Sequence, residues 1–132
     1  MMVREQRLAQ RRKPIRVVNK PSMAFVSTYV ASVPEGGVLY QCMFPRNGVL
    51  RDIGVFVEKA ELGENERVRT YFTIRRGGSI AGSSLDIKEG MNSSGDEIPV
   101  GKWSRFVVSI PGEKAASLSG IFITMSYEIH HA

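Results

Sequence analysis

The sequence predicts an all-β fold: an antiparallel β-sandwich, jelly-roll-like, of about 7–8 strands and preceded by an extended basic N-terminal arm. Three observations point there. Short runs rich in Val, Ile, Phe, Tyr and Thr recur at spacings of roughly ten residues. Gly, Pro and Asn punctuate them, and no amphipathic helical pattern intervenes. The arm is residues 1–22 and the sandwich domain residues 23–132. A chain of 132 residues is long enough for one self-sufficient core.

Taken in order, residues 5–13 contain good helix formers and stop at Pro14, and a short strand at 15–18 leads in. Strands are predicted over residues 24–30, 38–44 and 49–59. Pro34, Glu35, Gly36 and Gly37 form a turn, while Pro45, Arg46, Asn47 and Gly48 read as a hairpin loop between two apolar runs. Gly54 marks a bulge. From 67 to 75, Val68, Thr70, Phe72 and Ile74 alternate with Arg67, Arg69, Tyr71, Thr73 and Arg75, so the first set is core. Residues 76–102, with Gly77, Gly78, Gly82, Gly90, Gly95 and Gly101, hold at most one short strand at 84–88; they read as a long solvated crossover or a binding loop. A strand over 103–110 ends at Pro111 and Gly112, and 113–118 makes one helical turn. The last strand, 120–130, alternates Ile121, Ile123, Met125, Tyr127 and Ile129 with Phe122, Thr124, Ser126, Glu128 and His130.

Charge is the most informative number. The formal charge of +5 is unevenly placed: residues 1–22 carry seven cations against Glu5, a net of +6, and the remainder carries 11 cations against 12 carboxylates, a net of −1. The cations are Arg4, Arg7, Arg11, Arg12, Lys13, Arg16 and Lys20. The arm lacks the apolar stretch of a secretory signal, and no run approaches the ~18 apolar residues of a membrane span, so neither secretion by that route nor a membrane partner is expected.

No enzyme signature emerges. The spacing from Gly77 to Ser84 imitates a phosphate-binding loop, but Ser83 stands where the lysine is needed and no long helix follows. Cys42, in an apolar strand, reads as a buried structural thiol, and His130 and His131 as strand-end residues. The single cysteine excludes an internal disulfide, and no metal-ligand spacing is present. Glu58, Glu61, Glu64 and Glu66 read as a solvated loop, and Asn92, Ser93 and Ser94 as a formal glycosylation sequon. No catalytic residue, cofactor or metal site is therefore expected.

Two binding elements remain. The outward stripe of Arg67, Arg69, Tyr71 and Arg75 suits a salt-bridged sheet face, a protein interface or, in third place, nucleic acid. The arm, reaching roughly 70 Å when extended, suits a distant acidic protein surface or a phosphate backbone. Its segment 14–21, with Ile15, Val17 and Val18 between prolines, is able to add a strand to another chain.

The stretch from Gly37 to Val57, with the basic arm before it and the aromatic-rich last strand, resembles small β-sandwich accessory proteins of tailed-phage virions, the decoration (cement) proteins and head-fibre bases. The resemblance is one of architecture and carries no diagnostic motif. It implies a structural protein on the virion surface, made in the host cytoplasm and forming a homo-oligomer, commonly a trimer. Its partner would be the major capsid protein, bridged through the arm cations and the segment 14–21. Two other functions are open: a nucleic-acid-binding domain using the arm and the stripe from Arg67 to Arg75, and a carbohydrate-binding domain using the 76–102 loop with Trp103 and Tyr71 as a sugar platform.

Overall fold

The structure, a computed structural model, describes residues 22–130. The arm cations Arg4 to Lys20, the helix predicted at 5–13 and the strand predicted at 15–18 lie outside the described residues.

Among the described residues, nine strands form two antiparallel sheets. They are β1 (Ser22–Ser32), β2 (Val38–Phe44), β3 (Gly48–Ala60), β4 (Val68–Arg76), β5 (Ser79–Ile87), β6 (Gly90–Ser94), β7 (Ile98–Val100), β8 (Ser104–Ser109) and β9 (Leu118–Ile129). One sheet has the order β1-β9-β3-β6, with β7 also on β3; the other has the order β2-β8-β4-β5. β6 pairs with Ile53 to Val57 and β7 with Gly48 to Leu50, so these two short strands share one position beside β3. Eight strand positions, four per sheet, with the chain passing repeatedly between sheets, make a jelly roll.

The core is the space between the sheets. Leu50, Ile53, Val55 and Val57 from β3 and Ile121, Ile123 and Met125 from β9 face Phe72 and Ile74 from β4 and Phe106 and Val108 from β8. Phe72 and Phe106 stack with rings 5° from parallel, while Phe44 meets Tyr127 of the opposite sheet at 4.5 Å between centroids. Removing any one of these buried aromatics should cost about 3–5 kcal/mol.

The bulge lies just before Gly54. The pairs Arg51↔Ser126 and Gly54↔Thr124 leave one extra residue in β3, and Asp52 takes it up with φ 52°. The extra residue lets Leu50 and Ile53, three apart, both point inward. It also turns the Asp52 carboxylate outward, where it accepts a hydrogen bond from Ser126 Oγ at 2.8 Å.

Two sequence expectations are corrected. The segment from Pro45 to Gly48 joins β2 in one sheet to β3 in the other, so it is an inter-sheet connection and no hairpin. There Gly48 approaches the β9 backbone so closely that a Cβ would sit 2.2 Å from the Glu128 carbonyl oxygen. The stretch 76–102 is no long loop: it carries β5, β6 and β7. Gly77 and Gly78 make the tight β4–β5 hairpin, Gly77 at φ 57°, where the absence of a Cβ permits the turn. The turn predicted at 113–118 is present as a 3-10 helix, Glu113–Ser117.

Asn92 ties this region down. Its Nδ2 donates to the carbonyls of Val55 (3.0 Å), Lys88 (2.8 Å) and Gly90 (3.1 Å), and its Oδ1 accepts from Lys88 N (3.0 Å). The residue is buried, so the sequon asparagine is a structural bracket between β6, the β5–β6 turn and β3. Asn92→Ala should cost about 2 kcal/mol or more in urea unfolding, because buried carbonyls lose their donor. Asn92→Asp should cost at least as much at pH 7, because a carboxylate would face three carbonyl oxygens. Its pKa in the fold would be raised, so stability should return as pH falls and the carboxyl protonates; a pH-independent loss would refute the bracket.

Candidate interaction surfaces

The alternation of each strand decides which side chains point outward, and the register decides which of them become neighbours. On the β1-β9-β3-β6 sheet, Tyr29 pairs with Phe122, Phe122 with Phe56, and Phe56 with Met91. One apolar row thus crosses all four strands on the outer face. Tyr29 and Phe122 lie 4.7 Å apart between ring centroids, and Phe122 and Phe56 6.1 Å. Gly54 makes room for the end of the row: a Cβ there would fall 2.5 Å from Met91 Cε. Tyr29 and Met91 are 52% and 57% exposed, and Phe25, further along β1, is 81% exposed. The four side chains of the row leave roughly 400 Å² of apolar surface in solvent, taking about 200 Å² for each fully exposed side chain. This is the size of the largest apolar patch on a typical monomer, a patch that is often functional.

Met23 and Phe25 continue the exposed apolar surface along β1, and ion pairs lie beside them. Arg51 lies 3.4 Å from a Glu97 carboxylate oxygen and 3.2 Å from one of Glu128, and His130 meets the other Glu128 oxygen at 3.2 Å.

On the opposite sheet the stripe Arg67, Arg69, Tyr71 and Arg75 does point outward. Its members have different surroundings. Arg67 donates to the backbone carbonyls of Glu64 and Glu66, and Arg69 pairs with Asp86 at 3.0 Å, which raises the Arg69 pKa. Arg75 instead stands directly across from Arg105, and neither has an acidic partner among the described residues. Like charges in register oppose pairing. Arg105 was missed in sequence because only the β4–β8 register makes it a neighbour of Arg75.

The topology also sorts charge between the two ends of the sandwich. The connections 33–37, 61–67, 88–89 and 110–117 meet at one end with six carboxylates (Glu35, Glu61, Glu64, Glu66, Glu89, Glu113) and three cations (Arg67, Lys88, Lys114). There Lys114 hydrogen-bonds Glu66 and, with the Gly63 backbone N–H, lowers its pKa. The other end gathers Arg46, Arg75, Arg76, Lys102 and Arg105, and the connections 45–47, 77–78 and 101–103 contain no carboxylate. β1 begins at this basic end, where Ser22 pairs with Ile129, so residues 1–21 join the body there.

Trp103 stands at the same end, 60% exposed, in a cleft of about 400 Å³ lined by Pro45, Arg46, Asn47, Lys102, Trp103 and His130. Tyr71 lines a separate cleft with residues of β5, so the structure does not bring the two aromatics into one sugar platform. Among the described residues no group of three or more His, Cys, Asp or Glu is placed to hold a metal ion, and no helix is long and apolar enough to cross a membrane.

Cys42 is half-buried, less enclosed than the sequence suggested, because it lies on edge strand β2. Burial raises its pKa, partly offset by a hydrogen bond with Tyr40, whose own pKa is pushed up to about 12 by burial and by Cys42. Alkylation of Cys42 by iodoacetamide should therefore be slower than that of free cysteine at pH 8, with a rate still climbing at a pH where the free thiol has levelled off. A rate profile coinciding with free cysteine would contradict this environment. In comparison with known proteins, no protein family matches the chain and no curated protein is similar to it in sequence.

Proposed function

We propose that the protein is a structural component of a virus particle, binding major capsid subunits through the arm of residues 1–22 and reinforcing the shell by bridging them. The observation that carries this reading is the aromatic row Tyr29, Phe122, Phe56 and Met91, which spans a whole sheet face. An exposed apolar row suits contact with another protein surface, and aromatic residues and Met are enriched at such contacts. The arm complements it, because seven cations in 22 residues favour an acidic surface and can reach a neighbouring subunit. Jelly rolls serve in viral capsids and in lectins alike, so the fold contributes analogy only.

In this reading the two elements divide the work: the arm anchors to the shell, and the aromatic face joins copies of the protein into a homo-oligomer. Two variants of the full chain separate these roles. Replacing Arg4, Arg7, Arg11, Arg12, Lys13, Arg16 and Lys20 by Ser should reduce co-sedimentation with assembled capsids by more than ~10-fold at physiological salt. Undiminished binding would sink the anchoring role. Replacing Tyr29 and Phe122 by Ser should leave the fold intact and lower the mass measured by light scattering to that of a monomer; an unchanged mass would remove the face from the assembly.

A further inference from the structure

The basic end of the sandwich has a feature that the capsid reading does not use. Trp103 has φ 63°, in the left-handed region that residues with a Cβ adopt at a cost. It is held there by its surroundings. Trp103 N donates to the Phe44 carbonyl at 2.6 Å, Lys102 N to Asn47 Oδ1 at 2.8 Å, and Gly101 N to Ser104 Oγ at 3.1 Å. The turn is thus fixed from both sides and presents the indole to solvent between Arg46, Lys102 and His130. Packing cannot account for this residue, because most of its surface is exposed; Asn or Gly would occupy the backbone conformation more easily.

Arg46 and Lys102 line its cleft, and further cations stand at the same end. Arg76 reaches over Gly101, where a Cβ would come within 2.7 Å of its guanidinium, and Arg75 and Arg105 form the adjacent like-charge pair. Glu128, which meets the cleft residue His130, is also paired with Arg51, and Arg51 pairs with Glu97. Arg46, Arg75, Arg76, Lys102 and Arg105 gather at this end, so the local field is positive. A stacking surface fixed in a funnel of positive charge is the arrangement that holds single-stranded nucleic acid without reading its sequence.

We propose that this end of the protein binds single-stranded nucleic acid, a base stacking on Trp103 while Arg46, Lys102, Arg75 and Arg105 hold the phosphates. The test needs no label, because Trp103 is the sole tryptophan of the chain. Titrating the full chain with an oligothymidylate of about 15 nucleotides should quench Trp fluorescence, with affinity falling at least ~10-fold from 50 to 200 mM salt. Trp103→Asn, read by anisotropy of a labelled oligonucleotide, should bind about 5- to 100-fold more weakly. It should melt no lower than the parent, since Asn tolerates the left-handed backbone. Arg46→Gln with Lys102→Gln should retain the fold, weaken binding and flatten the salt dependence. Absence of quenching at low salt would overturn the proposal. So would equal quenching by poly-glutamate together with undiminished oligonucleotide binding by Trp103→Asn, the pattern of a site for an acidic protein.

Discussion

The ladder between β3 and β9 carries the rest of the sandwich, because every other strand of its sheet pairs with one of these two. It runs from Gly48↔Ile129 to Ala60↔Leu118, and its one irregularity is the extra residue at Asp52. That residue sets the architecture on both faces. Inward, it keeps Leu50, Ile53, Val55 and Val57 in the core along a strand of 13 residues. Outward, it restores the parity that places Phe56 beside Phe122. Without it, the side chains beyond residue 52 would change faces, burying Phe56 and exposing Val55 and Val57. The apolar row is thus a consequence of how β3 is bent.

How much of this could be read from the sequence depended on how fully each strand is buried on one face. β4 and β9 were legible because Phe72 and Ile74, or Ile121, Ile123 and Met125, alternate with polar or exposed neighbours. The first half of β5 and all of β6 were illegible for the converse reason, whereas the strand expected at 84–88 covers the second half of β5. Both strands occupy the outer positions of their sheets, and Gly82, Ser83, Ser84, Ser93 and Ser94 carry no apolar signal. Gly82 is there because a Cβ would fall 2.0 Å from the Phe72 carbonyl oxygen, a long-range constraint that no local pattern records. Turn chemistry was equally ambiguous, since Pro45 to Gly48 uses the residues of a hairpin to cross between sheets.

The interaction surfaces follow the same division. That Phe56 and Phe122 point outward follows from parity along each strand, but their meeting depends on register. Arg75 was visible in its stripe, whereas its apposition to Arg105 and the gathering of Arg46 and Lys102 beside them arise from antiparallel topology. Net charge was legible along the chain, and its segregation between the two ends was not. A body with a net charge of −1 can therefore present a strongly basic end, and it is the end that continues into residues 1–21.

The pairing of β1 with β9 bears on mechanics. Register runs from Ser22↔Ile129 to Ser32↔Ser119, and residues 1–21 precede the first of these pairs in the chain. Antiparallel hydrogen bonds lie perpendicular to the strands. A pull on residues 1–21 directed along the axis of β1, with the body held at its far end, loads all these bonds together in shear; a sideways pull would open them one at a time from Ser22. The attachment is therefore strongest under tension along the strand, and an arm that anchored the body in that direction would resist detachment by force far better than its equilibrium affinity alone would suggest.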